Sequence, residues 1–332
     1  MVNISIIQMQ SIPLKVEENL LLAERLITQA AKDDAELVVL PELFNVGFYF
    51  GEALMDVAET LDGKTITWLK AQAVKHHIYI TGSIYERNNG RFYNTMVMVG
   101  YDGSVQQYRK RNPTWPEFTV WQRSAVPGPA IFDTPFGRIG GVICFDSFAR
   151  ETVEGFRQSN VDLIVIVACW GVVETSWRPD SLITNLTMRS WSHLAADVVP
   201  SQYATELNVP VVFVNQGGSV NTPSPSPRFS PFPPFSNIKY SFHGNSHIRD
   251  ASGKLLTQAE GAETTFCAVI PVDIQQKKPS SDMIRVDIAV QYLSKSYYFV
   301  QPPLFAKVVQ AWSFRGFQKE YQARCKRQKV KL

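Results

Sequence analysis

No Cys-x-x-Cys pair occurs in this chain of 332 residues, and its four cysteines, Cys144, Cys169, Cys267 and Cys325, stand far apart. That spacing excludes the usual structural zinc site and the redox dithiol, so no metal is expected. So few scattered thiols fit a reduced, cytoplasmic protein better than a disulfide framework. No run approaches the about 18 apolar residues of a membrane-spanning helix, so no membrane partner is expected. The opening "MVNISIIQMQ" alternates like a strand and lacks the basic start, apolar run and cleavage site of a secretory leader. An excess of one charge is also missing. Lys+Arg number 33 against 30 Asp+Glu, a net +3, which leaves no footprint for nucleic acid. Only the final "EYQARCKRQKVKL" is locally basic, and it reads as a solvated tail.

What is present is a folded composition, 45% hydrophobic and 19% charged, long enough for a substantial core. Residues 2–9 alternate as a strand. "VEENLLLAERLITQAAKDD" then places Val16, Leu20, Ala23, Ile27 and Ala30 on one helical face, and "TITWLKAQAVKHH" does the same with Ile66, Leu69 and Ala73. Short strands are expected in "AELVVL", "IYITGSIYE", "FYNTMVMVGYDGSVQQYRK" with a turn at Asp102-Gly103, "GRIGGVIC", "VDLIVIVACW", "VPVVFVNQGG", "NSHIRDASGKLL" with a turn at Ser252-Gly253, and "TTFCAVIPVD". Helix is expected in "ARETVEGFRQ" and from about Asp180 to Asn208, with a break near Pro200. Helices and strands interleave without a composition break, which predicts one α/β domain with mixed sheets. Asn221 to Asn237, "NTPSPSPRFSPFPPFSN", cannot join a ladder and reads as an extended loop that could wall a pocket.

Three residues carry chemistry at strand exits. Cys144 ends a buried strand and precedes a polar turn and a helix. A thiol with a pKa of about 8.5 is a few per cent thiolate at neutral pH, so it needs a base or a cation beside it. Histidine is the usual base, but none of His76, His77, His193, His243 and His247 stands at the end of an apolar strand. Glu42 does, after "LVVL", and Lys110 follows "SVQQYR". Groups at carboxyl ends of neighbouring strands converge on one cleft, where Glu42 could take the thiol proton and Lys110 could stabilise an anion.

Taken in order, "LVVLPELF", "YRKRNPTWPEF" and "GRIGGVICFD" resemble the nitrilase superfamily of carbon–nitrogen hydrolases, and "VDLIVIVACW", "NVPVVFVNQGG" and "GNSHIRDASGKLL" support the likeness over roughly residues 2 to 275. The resemblance implies a four-layer α-β-β-α sandwich for residues 1–275 and a Glu42–Lys110–Cys144 triad, with Glu117 as a fourth residue that positions Lys110. It implies no cofactor and a homodimer or higher homo-oligomer, for which residues 276–332 would be an arm. One departure is Leu207, where the family's late helix commonly has asparagine. The intact triad positions argue against a non-catalytic scaffold.

The resemblance predicts attack of Cys144 on carbon bonded to nitrogen, with the Phe145 backbone N–H and Lys110 holding the oxyanion. The substrate signals divide. "CFDSFARE" looks like the amidase and carbamoylase branches, whereas "NPTWPEFTVW" looks like the nitrile-cleaving branch. The segment beside the nucleophile favours an amide, with a nitrile as the alternative. Trp115, Phe145 and Trp170 are candidate substrate-binding residues. If they line the pocket, a bulky apolar or aromatic acyl group is favoured.

Overall fold

The computed structural model describes residues 1–114, 117–174, 195–223, 237–260 and 265–274. Trp115, His193, residues 224–236 of the proline-rich segment and the expected arm over 276–332 lie outside the described residues.

Two six-stranded mixed sheets form the frame. The first holds β1 (Val2–Met9), β2 (Leu37–Val39), β3 (Tyr79–Asn88), β4 (Arg91–Val99), β5 (Val105–Arg109) and, beside β1, the late β15 (Thr265–Val272). The second holds β6 (Ala130–Thr134), β7 (Gly137–Ile143), β8 (Leu163–Ala168), β10 (Val211–Asn215), β13 (His247–Arg249) and β14 (Leu255–Gln258). Helices α1 (Val16–Lys32) and α2 (Lys64–His76) cross over between the parallel strands β1, β2 and β3. Helix α3 (Arg150–Ser159) joins the parallel pair β7 and β8.

The period-two alternation of the strands decides which layer each side chain enters. Ile4, Ile6, Leu37 and Val39 share the core between the sheets with Phe132, Ile139 and Ile143. The intervening Ile7, Met9, Val38 and Leu40 pack instead with Leu20, Ala23 and Ile27 of α1 and Ile66, Leu69 and Ala73 of α2. On the opposite side, Val153 and Phe156 of α3 and Val199, Tyr203 and Ala204 cover the second sheet. The result is the four-layer α-β-β-α order. Each such buried Leu or Ile contributes on the order of 1.5–3 kcal/mol over exposure. Among the described residues, no helix is long and apolar enough to cross a membrane.

Two local expectations change. The helix over residues 195–207 runs unbroken through Pro200. Proline removes one N–H donor there, but Val199, Tyr203 and Ala204 are fully buried around it, and that packing carries the helix past the lost bond. Leu207 packs partly buried against the same core, so the missing asparagine does not detach this helix. A third sheet was not expected: β9 (Gly171–Glu174), β11 (Ser219–Thr222) and β12 (Ile238–Phe242) pair in the order β11-β12-β9. Asn221 therefore belongs to a strand. Gly171 is required there, because a Cβ would come within 2.2 Å of the Ser241 carbonyl oxygen.

Candidate active site

Glu42 lies three residues beyond β2, Lys110 directly follows β5, and Cys144 directly follows β7. The backbone turns sharply at two of these exits. Leu43 has φ +53° and Cys144 has φ +50°, the left-handed region that a residue with a Cβ rarely adopts. From Cys144 the chain enters a short 3-10 turn, Cys144–Phe148, before α3. The strand-to-helix elbow expected for a nucleophile is thus present. The Tyr203 hydroxyl donates to the Ser147 carbonyl at 2.8 Å and fixes the elbow to the 195–207 helix.

These exits meet. Lys110 Nζ donates to Glu42 Oε1 at 2.8 Å and to Glu117 Oε1 at 2.7 Å. One ligand atom from each of Glu42, Glu117 and Cys144 lies within 4.8 Å of the others. All four residues are buried. Three acidic or soft ligand atoms at that spacing could hold a metal ion, but the Lys110 ammonium already bonds both carboxylates and fills the place of a cation. No histidine belongs to this cluster among the described residues. His247 is engaged elsewhere: its Nδ1 lies 2.8 Å from the Asn245 carbonyl, and Arg249 donates to its Nε2 at 3.3 Å.

The positions of the charged groups are set by neighbours. Asn94 Nδ2 donates to Glu42 Oε1 at 2.7 Å, and the Asn94 carbonyl accepts the Lys110 backbone N–H at 2.8 Å. Glu117 Oε2 accepts the Thr114 N–H at 2.5 Å. Glu42 Oε2 is buried without a hydrogen-bond partner among the described residues, so one oxygen of this carboxylate is open to receive a proton. Asp146, two after the cysteine, is buried and engaged by the segment that carries Lys110. Its carboxylate accepts the Asn112 N–H at 2.7 Å, the Arg111 N–H at 3.3 Å and the Tyr108 hydroxyl at 2.9 Å. It therefore fastens the strap that carries Lys110 onto the elbow that carries Cys144.

Burial disfavours charge on every member of the cluster. For Lys110 that penalty is outweighed by Cys144, Glu117 and Glu42, which hold its pKa well above the ordinary lysine range. Burial pushes Glu117 above the usual carboxylate range, with Lys110 opposing and Glu42 adding. Burial and the Glu42 carboxylate push the Cys144 thiol well up. These influences favour the thiol form of the sulfur, and passing its proton to a carboxylate within the cluster would leave the buried net charge unchanged.

Of the candidate aromatic residues, Phe145 and Trp170 are each about 5% exposed beside the elbow. Phe145 stands against Phe148 with ring centres 5.2 Å apart, and Phe148 lies 5.7 Å from Trp170. The Trp170 indole Nε1–H reaches Cys144 Sγ at 3.0 Å. Two residues of the surrounding network escaped sequence reasoning. Asn215 accepts the Trp170 N–H at 2.7 Å and donates to its carbonyl at 2.9 Å. Gln216 donates to the Glu42 carbonyl at 2.9 Å. The available signal was "VVFVNQ", two amides in succession closing an all-apolar strand.

Comparison with known proteins agrees with the geometry. The profile of the carbon-nitrogen hydrolase family matches residues 3–279. A nitrilase of Pyrococcus abyssi is 34% identical over 167 residues, 49% of this chain and 63% of that protein. An omega-amidase of Xenopus laevis is 32% identical over 174 residues, 49% of this chain and 61% of that protein. The matched stretch thus spans less than two thirds of either relative. A carbon-nitrogen hydrolase structure from Helicobacter pylori G27 superposes with a TM-score of 0.66 at 19% identity, covering 91% of this chain and 94% of that one, and shares its fold. With the profile running over most of its length and the fold in common, this chain belongs to the carbon–nitrogen hydrolase family.

Proposed function

We propose that this protein hydrolyses a non-peptide amide through a thioester on Cys144. The observation that supports this most is the single buried cluster in which Lys110 bonds both Glu42 and Glu117 beside the Cys144 sulfur. Cys144 gives its proton to Glu42 and attacks the carbonyl carbon. The oxyanion is held by the Lys110 ammonium and the Phe145 backbone N–H; losing one such donor costs about 3 to 4 kcal/mol of transition-state stabilisation. Glu42 returns the proton to the leaving nitrogen, and ammonia or an amine departs. Glu42 then takes a proton from water, which attacks the thioester and releases the acid. Glu117 keeps Lys110 in place and charged throughout.

The aromatic wall of Phe145 and Trp170 suits an apolar acyl group. Trp115 belongs to the same reading as a candidate pocket residue. A nucleophile that must stay a thiol suits the reducing cytoplasm, and a homo-oligomer using residues 276–332 as an arm completes the proposal. A nitrile substrate is the second reading. It is supported by the 34% identity to a protein named nitrilase and by "NPTWPEFTVW".

The test is intact-mass spectrometry of protein incubated with a panel of amides, nitriles and N-carbamoyl compounds, scored also for ammonia release. An acyl adduct is expected on Cys144 with amides and none in Cys144→Ser. Turnover of nitriles alone selects the second reading. Hydrolysis unchanged in Cys144→Ala refutes both.

A further inference from the structure

Trp170 lines the site, but its indole also does something an apolar wall cannot. The Nε1–H donates to Cys144 Sγ at 3.0 Å, between two residues that are both buried. An uncharged donor from just beyond β8 thus points at the atom that must become an anion.

The backbone that carries the indole is held by several hydrogen bonds, and the ring by its aromatic neighbours. Asn215 clamps the Trp170 backbone through both its N–H and its carbonyl. Asn215 is itself fixed by Ser246, whose hydroxyl accepts the Asn215 N–H at 3.0 Å. Ser246 donates in turn to Gln8 Oε1 at 2.9 Å, a residue of the other large sheet. The Tyr240 hydroxyl lies 3.1 Å from the Gly171 carbonyl and 3.4 Å from that of Cys169. The Phe213 ring stands 5.1 Å from the indole. A side chain located by this many contacts is pre-organised for a specific partner.

We propose that Trp170 is a catalytic hydrogen-bond donor to the Cys144 thiolate, and that Asn215 is the positioning residue that aims it. This deepens the reading of Cys144 as nucleophile and rests on it. Lys110 keeps one N–H donor after bonding Glu42 and Glu117, and the proposed mechanism gives that donor to the oxyanion. In the reaction the thiol proton passes to Glu42 while the indole keeps its own. The same N–H steadies the sulfur again when it leaves as the thioester collapses. A neutral donor stabilises the anion without adding charge to a site that already holds three ionisable partners.

The experiment is the pH dependence of Cys144 alkylation by iodoacetamide, read by peptide mass spectrometry, which needs no knowledge of the substrate. In Trp170→Phe, which keeps an aromatic ring and loses the N–H, the profile is expected to move up by about one pH unit, with alkylation about tenfold slower at neutral pH. Asn215→Ala is expected to move it in the same direction by less. In wild-type enzyme carrying ¹⁵N-indole label, one Nε1–H resonance is expected to shift when Cys144 is alkylated, which tests the contact even if a variant fails to fold. Unchanged alkylation profiles in folded variants, or no responding indole resonance, overturn the inference and leave the hydrolase reading standing. Hydrolysis that persists in Cys144→Ala removes the hydrolase reading itself.

Discussion

Gln216 Nε2 donates to the backbone carbonyl of Glu42 at 2.9 Å, tying together residues 174 positions apart in the chain. The same amide nitrogen reaches Ser11 Oγ at 2.9 Å, and its oxygen accepts the Ser11 N–H at 3.0 Å. Glu42 is therefore placed by a fully satisfied buried side chain, which is costly to truncate.

Gln216→Ala leaves the Glu42 carbonyl and the Ser11 N–H without this partner inside the protein. Stability is expected to fall by about 1–3 kcal/mol. The acylation rate is expected to fall by on the order of 10²-fold if Glu42 shifts by about 1 Å. Denaturant unfolding and single-turnover kinetics read the two effects separately; a variant with wild-type acylation shows that this tie does not place the base.

Asp146→Ala frees the N–H groups of Arg111 and Asn112 and the Tyr108 hydroxyl together. The strap bearing Lys110 is expected to loosen, with kcat down by on the order of 10²-fold. Asp146→Asn keeps an acceptor oxygen for Asn112 and is expected to recover part of the loss. Equal rates for the two variants separate charge from hydrogen-bond geometry in favour of charge.

Lys110→Met removes the cation that bonds both buried carboxylates, Glu42 and Glu117. Breaking such a pair by deleting one partner costs about 3–5 kcal/mol, and acylation is expected to be lost. The deficit is expected to shrink as pH falls, because Glu117, already held above the usual carboxylate range by burial, takes up a proton and its repulsion with the neighbouring carboxylate is removed. Urea unfolding at neutral and mildly acidic pH checks both statements; a deficit that grows on acidification contradicts them.

Away from the site, burial lowers the His247 pKa to about 4 from 6.5. The unfolded chain then binds a proton before the folded one does, so the stabilisation is complete above pH 6.5 and is lost as pH falls toward about 4. The amount is about 3 kcal/mol at the constant of 1.36 kcal/mol per unit. His247→Gln is expected to flatten the acid limb of the stability curve over that window. An acid limb identical to wild type assigns the transition to other groups.

How much of this was legible in the sequence differs from element to element. The helical faces of α1 and α2 and the core strands are local patterns, and they stand where the periodicity places them. Glu42, Lys110 and Cys144 were found because each stands at a strand exit, and Glu117 because it matched a family spacing; the structure brings all four into one cluster. The three-stranded sheet was invisible because "GVVE" is short and pairs with residues 238–242, a contact no window contains. Asn215 and Gln216 were read as the end of a strand, since an amide near glycine looks like a turn until its partners are known. The hydrogen bonds of Asp146 were hidden because they reach Tyr108, Arg111 and Asn112, distant in the chain. Trp170 was placed near the pocket, but an indole donating to sulfur requires coordinates.

The three-stranded sheet shares no ladder with either large sheet among the described residues. Chain inserted beyond Glu174 or beyond Thr222 therefore interrupts no ladder of the two sheets that carry Glu42, Lys110 and Cys144. A lineage that lengthens either outlet keeps the strand pairing behind those three residues, so kinship in the cluster and divergence elsewhere are compatible outcomes of one architecture.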